Sequence, residues 1–437
     1  MKRTSATTRP FAALLVAVGI SGCSILPFHT AANIELAEGI HPTRTRATDE
    51  ITLADLQNGI FVGIAMSGGG SRAANFSAAI LLELEEMGLL QAASALSSVS
   101  GSSLTSAYYG LSSRDKNRWN REKVRDMFLT DFQTHWLARW FFPPYMLAYW
   151  FTDFDRSDIM KTVFDRFLFE GKTFKDMGEV GPKILINATS LISEKKFVFT
   201  EKEFRNLHSR IDTYPVSDAV MASGAFPGAF HNVTLKNYRT KTPSYVHLFD
   251  GGPADNLGVE TLLSILQRLY AKEKKPRGCF LFVVDAYTAD RGKGAYERDT
   301  RHFTDFLIDD NVIDSADVML MLRRSEILGT VNITKPAINS YAEFTVPGRD
   351  DKCSVWHFSF EGLLRLGDRA REVRKVVNEI DTAYRLQATG LEKSMGGQEV
   401  QDYLFEAARI LVREDKEHLK KTCQWFMGKG FTDLPCP

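Results

Sequence analysis

Three observations predict an α/β fold. From Ile60 onward, short apolar and β-branched runs alternate with amphipathic helical patterns. Two of those runs, Ile60 to Met66 and Ala95 to Val99, end in small-residue turns that open into helical text. A third, Tyr245 to Phe249, ends in Asp250-Gly251-Gly252. The order strand, tight loop, helix puts both small-residue turns at the C-terminal ends of strands, where open α/β sheets hold their sites.

The N-terminus sets the expected compartment. Lys2, Arg3 and Arg9 precede an apolar run, Phe11 to Ile20, that is too short to span a membrane as a mature helix, and Ser21-Gly22-Cys23 follows. Residues 1–22 are therefore expected to be a signal peptide. Their end resembles the bacterial lipobox, which implies a Cys23 that is diacylated after cleavage. Ser24, in place of an aspartate, favours the outer membrane, with the protein facing the periplasm. Residues 23–58 lack periodicity and carry Pro27 and Pro42, which suits a lipidated, flexible tether.

The 437 residues are 44% hydrophobic and 25% charged, enough apolar text for one large core or two modest ones. Lys and Arg number 54, as do Asp and Glu, so no global field draws the chain to nucleic acid. Cys279 opens an apolar strand and reads as a small buried hydrophobe. Cys353, Cys423 and Cys436 lie in more polar text, where one disulfide is expected with its pairing left open. The text contains neither a zinc spacing nor a calcium loop, so neither metal nor cofactor is expected.

The expected strands are Ile60 to Met66, Ala95 to Val99, Lys183 to Thr189, Lys196 to Thr200, Tyr245 to Phe249 and Cys279 to Ala286. Several are apolar throughout, as in strands buried on both faces. Phe76, Ile80, Leu84 and Met87 recur at helical spacing over Ala73 to Met87, and a second helix is expected over Ser102 to Gly110. Residues 59–288 would form the catalytic domain. Residues 289–437, with a strand at Val355 to Phe360 and helical patterns at Glu361 to Leu386 and Glu399 to Phe426, read as a mostly helical cap or a continuation of that domain.

The chemistry sits in three short motifs and reads as that of a serine hydrolase. Ser98-Val99-Ser100-Gly101-Ser102 places a serine directly after a strand, with small flanks of the kind a strained nucleophile elbow needs. Ser103 also follows a G-x-S pattern, but Val99 is the last strand-like residue, which favours Ser100; the competing structural reading is a serine-rich helix cap. Gly68, Gly69 and Gly70 expose N–H groups toward a helix N-terminus, which suits an oxyanion. The text after them, Ser71-Arg72-Ala73, departs from both nucleotide fingerprints. His302, His357 and His418 follow Asp250 in order but lie in no recognisable setting, and His247 shares a strand with Asp250 and faces oppositely. Asp250 is left as the base, its carboxyl expected to be raised by partial burial.

Together, Ser67-Gly68-Gly69-Gly70-Ser71-Arg72, the Ser100 elbow and Asp250-Gly251-Gly252 resemble, in order and spacing, the three signatures of the patatin-like phospholipase family. Ala222-Ser223-Gly224-Ala225-Phe226-Pro227 and Asp255-Asn256-Leu257-Gly258 add to the likeness, which covers Ile60 to Ala286. The resemblance implies a three-layer α/β/α sheet and a Ser100–Asp250 dyad. It also implies an oxyanion hole from Gly68, Gly69 and Gly70, and hydrolysis of phospholipid or lysophospholipid esters. Two departures stand out: serines at both usual glycine sites of the elbow, and Ala73 where the oxyanion motif commonly ends in glycine.

Between the elbow and the third strand, Trp136 to Phe151 holds three of the six tryptophans, interrupted by Pro143-Pro144. This segment fits an interfacial lid, a wall for an acyl chain, or plain core packing, and exposure of Trp140 and Trp150 separates these readings. Other functions open to the chain are transfer of the acyl group to an acceptor other than water, and a catalytically weak envelope binding or scaffold role. The sequence identifies no protein partner.

Overall fold

The structure is a computed structural model that describes residues 31–242, 244–288, 310–389, 391, 394–432 and 434. The expected signal peptide, Cys23 and Cys436 lie outside the described residues. Nine strands build one mixed sheet: β1 (Ile60–Met66), β2 (Ala95–Val99), β3 (Lys183–Ser190), β4 (Lys195–Val198), β5 (Val233–Asn237), β6 (Ser244–Phe249), β7 (Gly278–Asp285), β8 (Tyr341–Thr345) and β9 (Lys352–Ser359). Their order is β5-β6-β3-β2-β1-β7-β9-β8, with β4 paired to β3 off this path. The centre is parallel: β1 pairs with β2 and β7, β2 with β3, and β7 with β9. Antiparallel pairings are confined to the margins.

Every residue of β1 is buried, which requires cover on both faces. Alternation divides the strand: Ile60, Val62 and Ile64 join the larger core, and Phe61 and Ala65 the other. The larger core receives Phe76, Ile80 and Leu84 from the helix Gly70–Glu86, and Val400 and Leu404 from the helix Gly397–Arg409. The smaller one receives Leu262 and Leu266 from the helix Val259–Tyr270 and Leu281 and Val283 from β7. Three layers follow. Each fully buried Leu or Ile stabilises the stack by roughly 1.5–3 kcal/mol.

β9 enters the sheet beside β7, so residues beyond 310 share this core rather than sitting apart from it. The helical pattern expected over Glu361 to Leu386 is broken up. A short 3-10 turn, Phe360–Arg365, precedes Gly367, whose φ of +94° suits only glycine, and the helix Asp368–Val377 stops well before Leu386. A loop from Ile380 to Ala388 follows, closed by a bridge between its ends. In the last helical stretch a π-turn, Ile410–Glu414, separates Gly397–Arg409 from Lys416–Gly428, whose cap Asp415 accepts from the His418 N–H.

Two expectations are corrected. The presumed tether is not loose in its described part: the buried Arg46 guanidinium donates to the carbonyls of Pro182 (2.9 Å) and Gly110 (3.0 Å), and Asn33 donates to the Lys236 carbonyl (2.9 Å). Cys279 is not an isolated hydrophobe, because it forms a disulfide with Cys353 on the neighbouring strand. The pairing of β7 with β9 brings the two Cα atoms to 4.8 Å, a separation that a run of sequence does not reveal. Cys423 is disulfide-bonded as well.

Candidate active site

β1 and β2 run side by side and end together, which brings the glycine loop and the serine elbow into contact. Ser100 follows β2 with φ +50° and ψ −123°, a region that costs a non-glycine residue energy and persists only when its surroundings enforce it. Those surroundings are other serines. The Ser100 N–H donates to Ser223 Oγ (2.9 Å), Ser223 Oγ donates to the Asn187 carbonyl (2.6 Å), and Ser102 Oγ donates to the Ser67 carbonyl (2.5 Å). Ser98 Oγ lies 2.5 Å from Ser106 Oγ. The serines at the two usual glycine sites thus have their own partners. Gly101 itself admits no substitute: a Cβ there would sit 2.0 Å from the Gly70 carbonyl oxygen.

The three glycines of the loop are not equivalent. The Gly68 N–H donates to the Asn256 carbonyl (3.2 Å), so it does not face the site and is removed from the expected donor set. The N–H groups of Gly69 and Gly70, at the start of the helix Gly70–Glu86, have no backbone acceptor among the described residues. The same is true of Gly101, directly after the serine, which the motif reading did not single out as a donor.

Asp250 follows β6 and is buried. Its Oδ1 accepts from the Gly252 N–H (2.8 Å), whereas Oδ2 makes no well-formed hydrogen bond. Burial pushes the carboxyl up to about 6, against the pull of the Gly252 N–H and of the neighbouring Ser100 hydroxyl. The structure brings Ser100, Asp250 and all three glycines to one cavity of about 490 Å3. Its lining contains no histidine among the described residues. His247 instead lies 3.1 Å from Thr234 Oγ1 on β5, His357 pairs with Asp285 (2.9 Å) and His418 with Asp415 (2.8 Å).

One wall of the cavity is apolar, formed by Trp136, Met160, Phe226 and Phe230. The lining also carries the charged residues Arg72, Asp285, Asp317 and Asp381. Arg72 is buried there and donates to the Ile380 carbonyl (2.6 Å). Burial brings its guanidinium down to about 10, against the pull of Asp317, Asp285 and Asp381. Asp285, at the end of β7, would be pushed up by burial, but Arg324 (2.7 Å) and His357 (2.9 Å) outweigh it and hold the carboxyl well below the usual range. Neither Arg324 nor the Ile380–Ala388 loop was visible as part of a site in the sequence.

A mixed sheet with helices on both faces, and a serine and a carboxyl group gathered at the C-terminal strand ends, has the layout of α/β proteins whose sites lie at that edge. The particular family follows from the sequence itself. Residues 64–263 match the model of the patatin-like phospholipase family, and this stretch of the chain is a patatin-like phospholipase domain. Among solved structures, human GIVD cytosolic phospholipase A2 aligns with a TM-score of 0.51 at 11% identity, over 86% of this chain and 64% of that one. The chain therefore spans less than two thirds of that protein's length. The same human enzyme in complex with methyl gamma-linolenyl fluorophosphonate aligns at 0.47, with 11% identity, over 91% of this chain and 69% of that one. No curated protein matches the sequence.

Proposed function

We propose that the chain is a membrane-anchored serine lipid acyl hydrolase that cleaves phospholipid or lysophospholipid esters. The observation that carries this reading is the strained Ser100 beside a buried carboxyl with one uncommitted oxygen, in a cavity with an apolar wall. In this mechanism Asp250 takes the Ser100 proton as Oγ attacks the ester carbonyl, and the N–H groups of Gly69, Gly70 and Gly101 receive the oxyanion. Collapse returns the electron pair to the leaving alkoxide, which takes the proton from Asp250. Water then attacks the acyl-serine by the same route. A base near pH 6 fits both halves, since it is ionised at neutral pH and protonated easily in the transition state.

The test is labelling of the purified protein with a fluorophosphonate probe. An adduct on Ser100, absent in Ser100→Ala, is expected. No adduct on a folded protein would leave a patatin-fold binding protein as the better account.

Membrane attachment is proposed through lipidated Cys23 at the periplasmic face of the outer membrane, and the Cys279–Cys353 disulfide suits that oxidising compartment. A second contact is proposed through the helix Pro143–Phe151, which has no buried residue and no charge. Phe141 is 68% exposed and Trp150 58%, with Phe142 and Leu147 also exposed, whereas Trp136, one helix earlier, lines the cavity. Val318, Met319 and Leu322, exposed on the helix Asp310–Thr330, flank the cavity residues Leu320 and Met321. Apolar surface at a lipid-binding cavity suits insertion at the acyl–headgroup boundary. Replacing Phe141, Leu147 and Trp150 together by Ser is expected to weaken binding to phospholipid vesicles about 10²- to 10³-fold, at roughly 1–1.5 kcal/mol per side chain. Hydrolysis of a short, soluble ester is expected to persist. Unchanged co-sedimentation with vesicles would remove this face from the reading.

A further inference from the structure

We propose that Tyr384, carried by the C-terminal loop Ile380–Ala388, is a third catalytic residue whose hydroxyl donates to Ser100 Oγ. This rests on the acyl-hydrolase reading above and adds a residue from outside the matched family domain, residues 64–263.

The loop is fixed where it meets the site. The Ala383 carbonyl accepts from the Ser71 N–H (2.9 Å), the Tyr384 carbonyl from the Gln133 N–H (3.1 Å) and the Ile380 carbonyl from Arg72 (2.6 Å). The Tyr384 ring is held edge-on by Phe164 and Phe230, with centroids 5.4 and 6.0 Å away. Three consecutive residues then tie this ring to the dyad. Ser223 Oγ accepts the Ser100 N–H (2.9 Å), the Ala225 carbonyl accepts the Asp250 N–H (3.0 Å), and between them the Gly224 carbonyl lies 3.5 Å from the Tyr384 hydroxyl. At 3.5 Å that contact is at the limit of a hydrogen bond, which leaves the phenolic proton for another acceptor. Ser100 and Tyr384 line the same cavity, and the Ser100 hydroxyl is among the groups that act on the phenol. Burial and the Asp250 charge raise the Tyr384 hydroxyl above its usual range, against the pull of Ser100, so it stays protonated and acts as a donor.

A serine hydroxyl has one proton and two lone pairs. With the Tyr384 proton on one lone pair and its own proton directed at Asp250, Ser100 Oγ has its second lone pair left for the carbonyl carbon. The same donor matters more in deacylation. As the second tetrahedral intermediate collapses, the bond between the acyl carbon and Oγ breaks and its electron pair stays on Oγ. The Tyr384 hydroxyl stabilises that charge until the proton held on Asp250 is returned.

Tyr384→Phe keeps the ring packing and removes only the donor. It is expected to lower kcat about 100-fold on a soluble ester, with KM within about twofold, and to slow fluorophosphonate labelling of Ser100 in parallel. Gly224→Ala provides an independent check, since its Cβ would sit 2.2 Å from the Tyr384 oxygen and displace the hydroxyl without removing it. A folded variant of either kind with kcat and labelling rate within twofold of wild type would overturn the assignment. A wild-type protein that gives no Ser100 adduct would overturn the acyl-hydrolase reading itself, and this inference with it.

Discussion

Asp250→Asn is expected to abolish turnover and, at the same time, to stabilise the fold above pH 6. The carboxyl is raised from its usual 3.8 to about 6 because burial disfavours the charged form. Below the unfolded value both states are protonated and the site carries no penalty. As pH rises through about 6, the native carboxyl must ionise in a dry setting while the unfolded one is already ionised in water, so stability is lost. A shift of about two units corresponds to roughly 3 kcal/mol. Asparagine is neutral throughout, so the variant is expected to match wild type near pH 4 and to exceed it by about 3 kcal/mol at pH 8. Urea denaturation at the two pH values reads this directly. Wild-type kcat/KM should rise about tenfold per pH unit below about 6 and level off above it, and the variant should fall by about 10⁴-fold. Equal stability at both pH values, with activity retained, would remove Asp250 from the role of base.

That trade between stability and function also explains which parts of the site were legible. β1 is apolar along its whole length and β2 is buried throughout, its two serines small enough for a covered strand, and both runs are read with their true ends, Ile60–Met66 and Ala95–Val99. Ser100 is legible for the same reason, as the first residue past a well-defined strand. Asp250 is legible only through its glycines, which let the turn approach close: a Cβ on Gly251 would lie 2.4 Å from the Asn187 carbonyl oxygen. β5 and β8 escaped notice because they are edge strands, half polar, with one side unpaired, and so carry little apolar signal.

What stayed hidden was relational. Nothing in Ser67 to Arg72 tells Gly68 from Gly69, since the Gly68 N–H is lost to the carbonyl of Asn256, far along the chain. Asp285 reads as the end of an apolar strand, and only the fold supplies Arg324 and His357 to it. Cys279 likewise depends on which strand lies next to β7. Tyr384 falls inside the text read as helical, Glu361 to Leu386, but the helix ends at Val377, and the place of Tyr384 in the cavity is set by backbone hydrogen bonds of its loop to Ser71 and Gln133, which leave no trace in residue type.

Gly70→Ala should expose that dependence in a single methyl group. The residue has φ +55°, so any side chain pays a backbone penalty of about 1 kcal/mol. Its Cβ would also fall 1.7 Å from the Thr382 carbonyl oxygen and 2.5 Å from that of Ala383. Both obstacles are backbone, so relief requires the Ile380–Ala388 loop to move, carrying with it the acceptor for the Ser71 N–H and the ring of Tyr384. Gly171→Ala isolates the first effect: φ there is +71°, but nothing lies within 4 Å of the added carbon. In denaturation Gly171→Ala is expected to lose about 1 kcal/mol from backbone strain and Gly70→Ala more, because of its clash, and only Gly70→Ala should lower kcat, by about 10²- to 10³-fold. The drop should come with slower fluorophosphonate labelling, because the donor at Gly70 and the hydroxyl of Tyr384 are displaced together. A Gly70→Ala protein as active as Gly171→Ala would mean that the glycine loop and the C-terminal loop do not jointly shape the site, and that the oxyanion is held elsewhere.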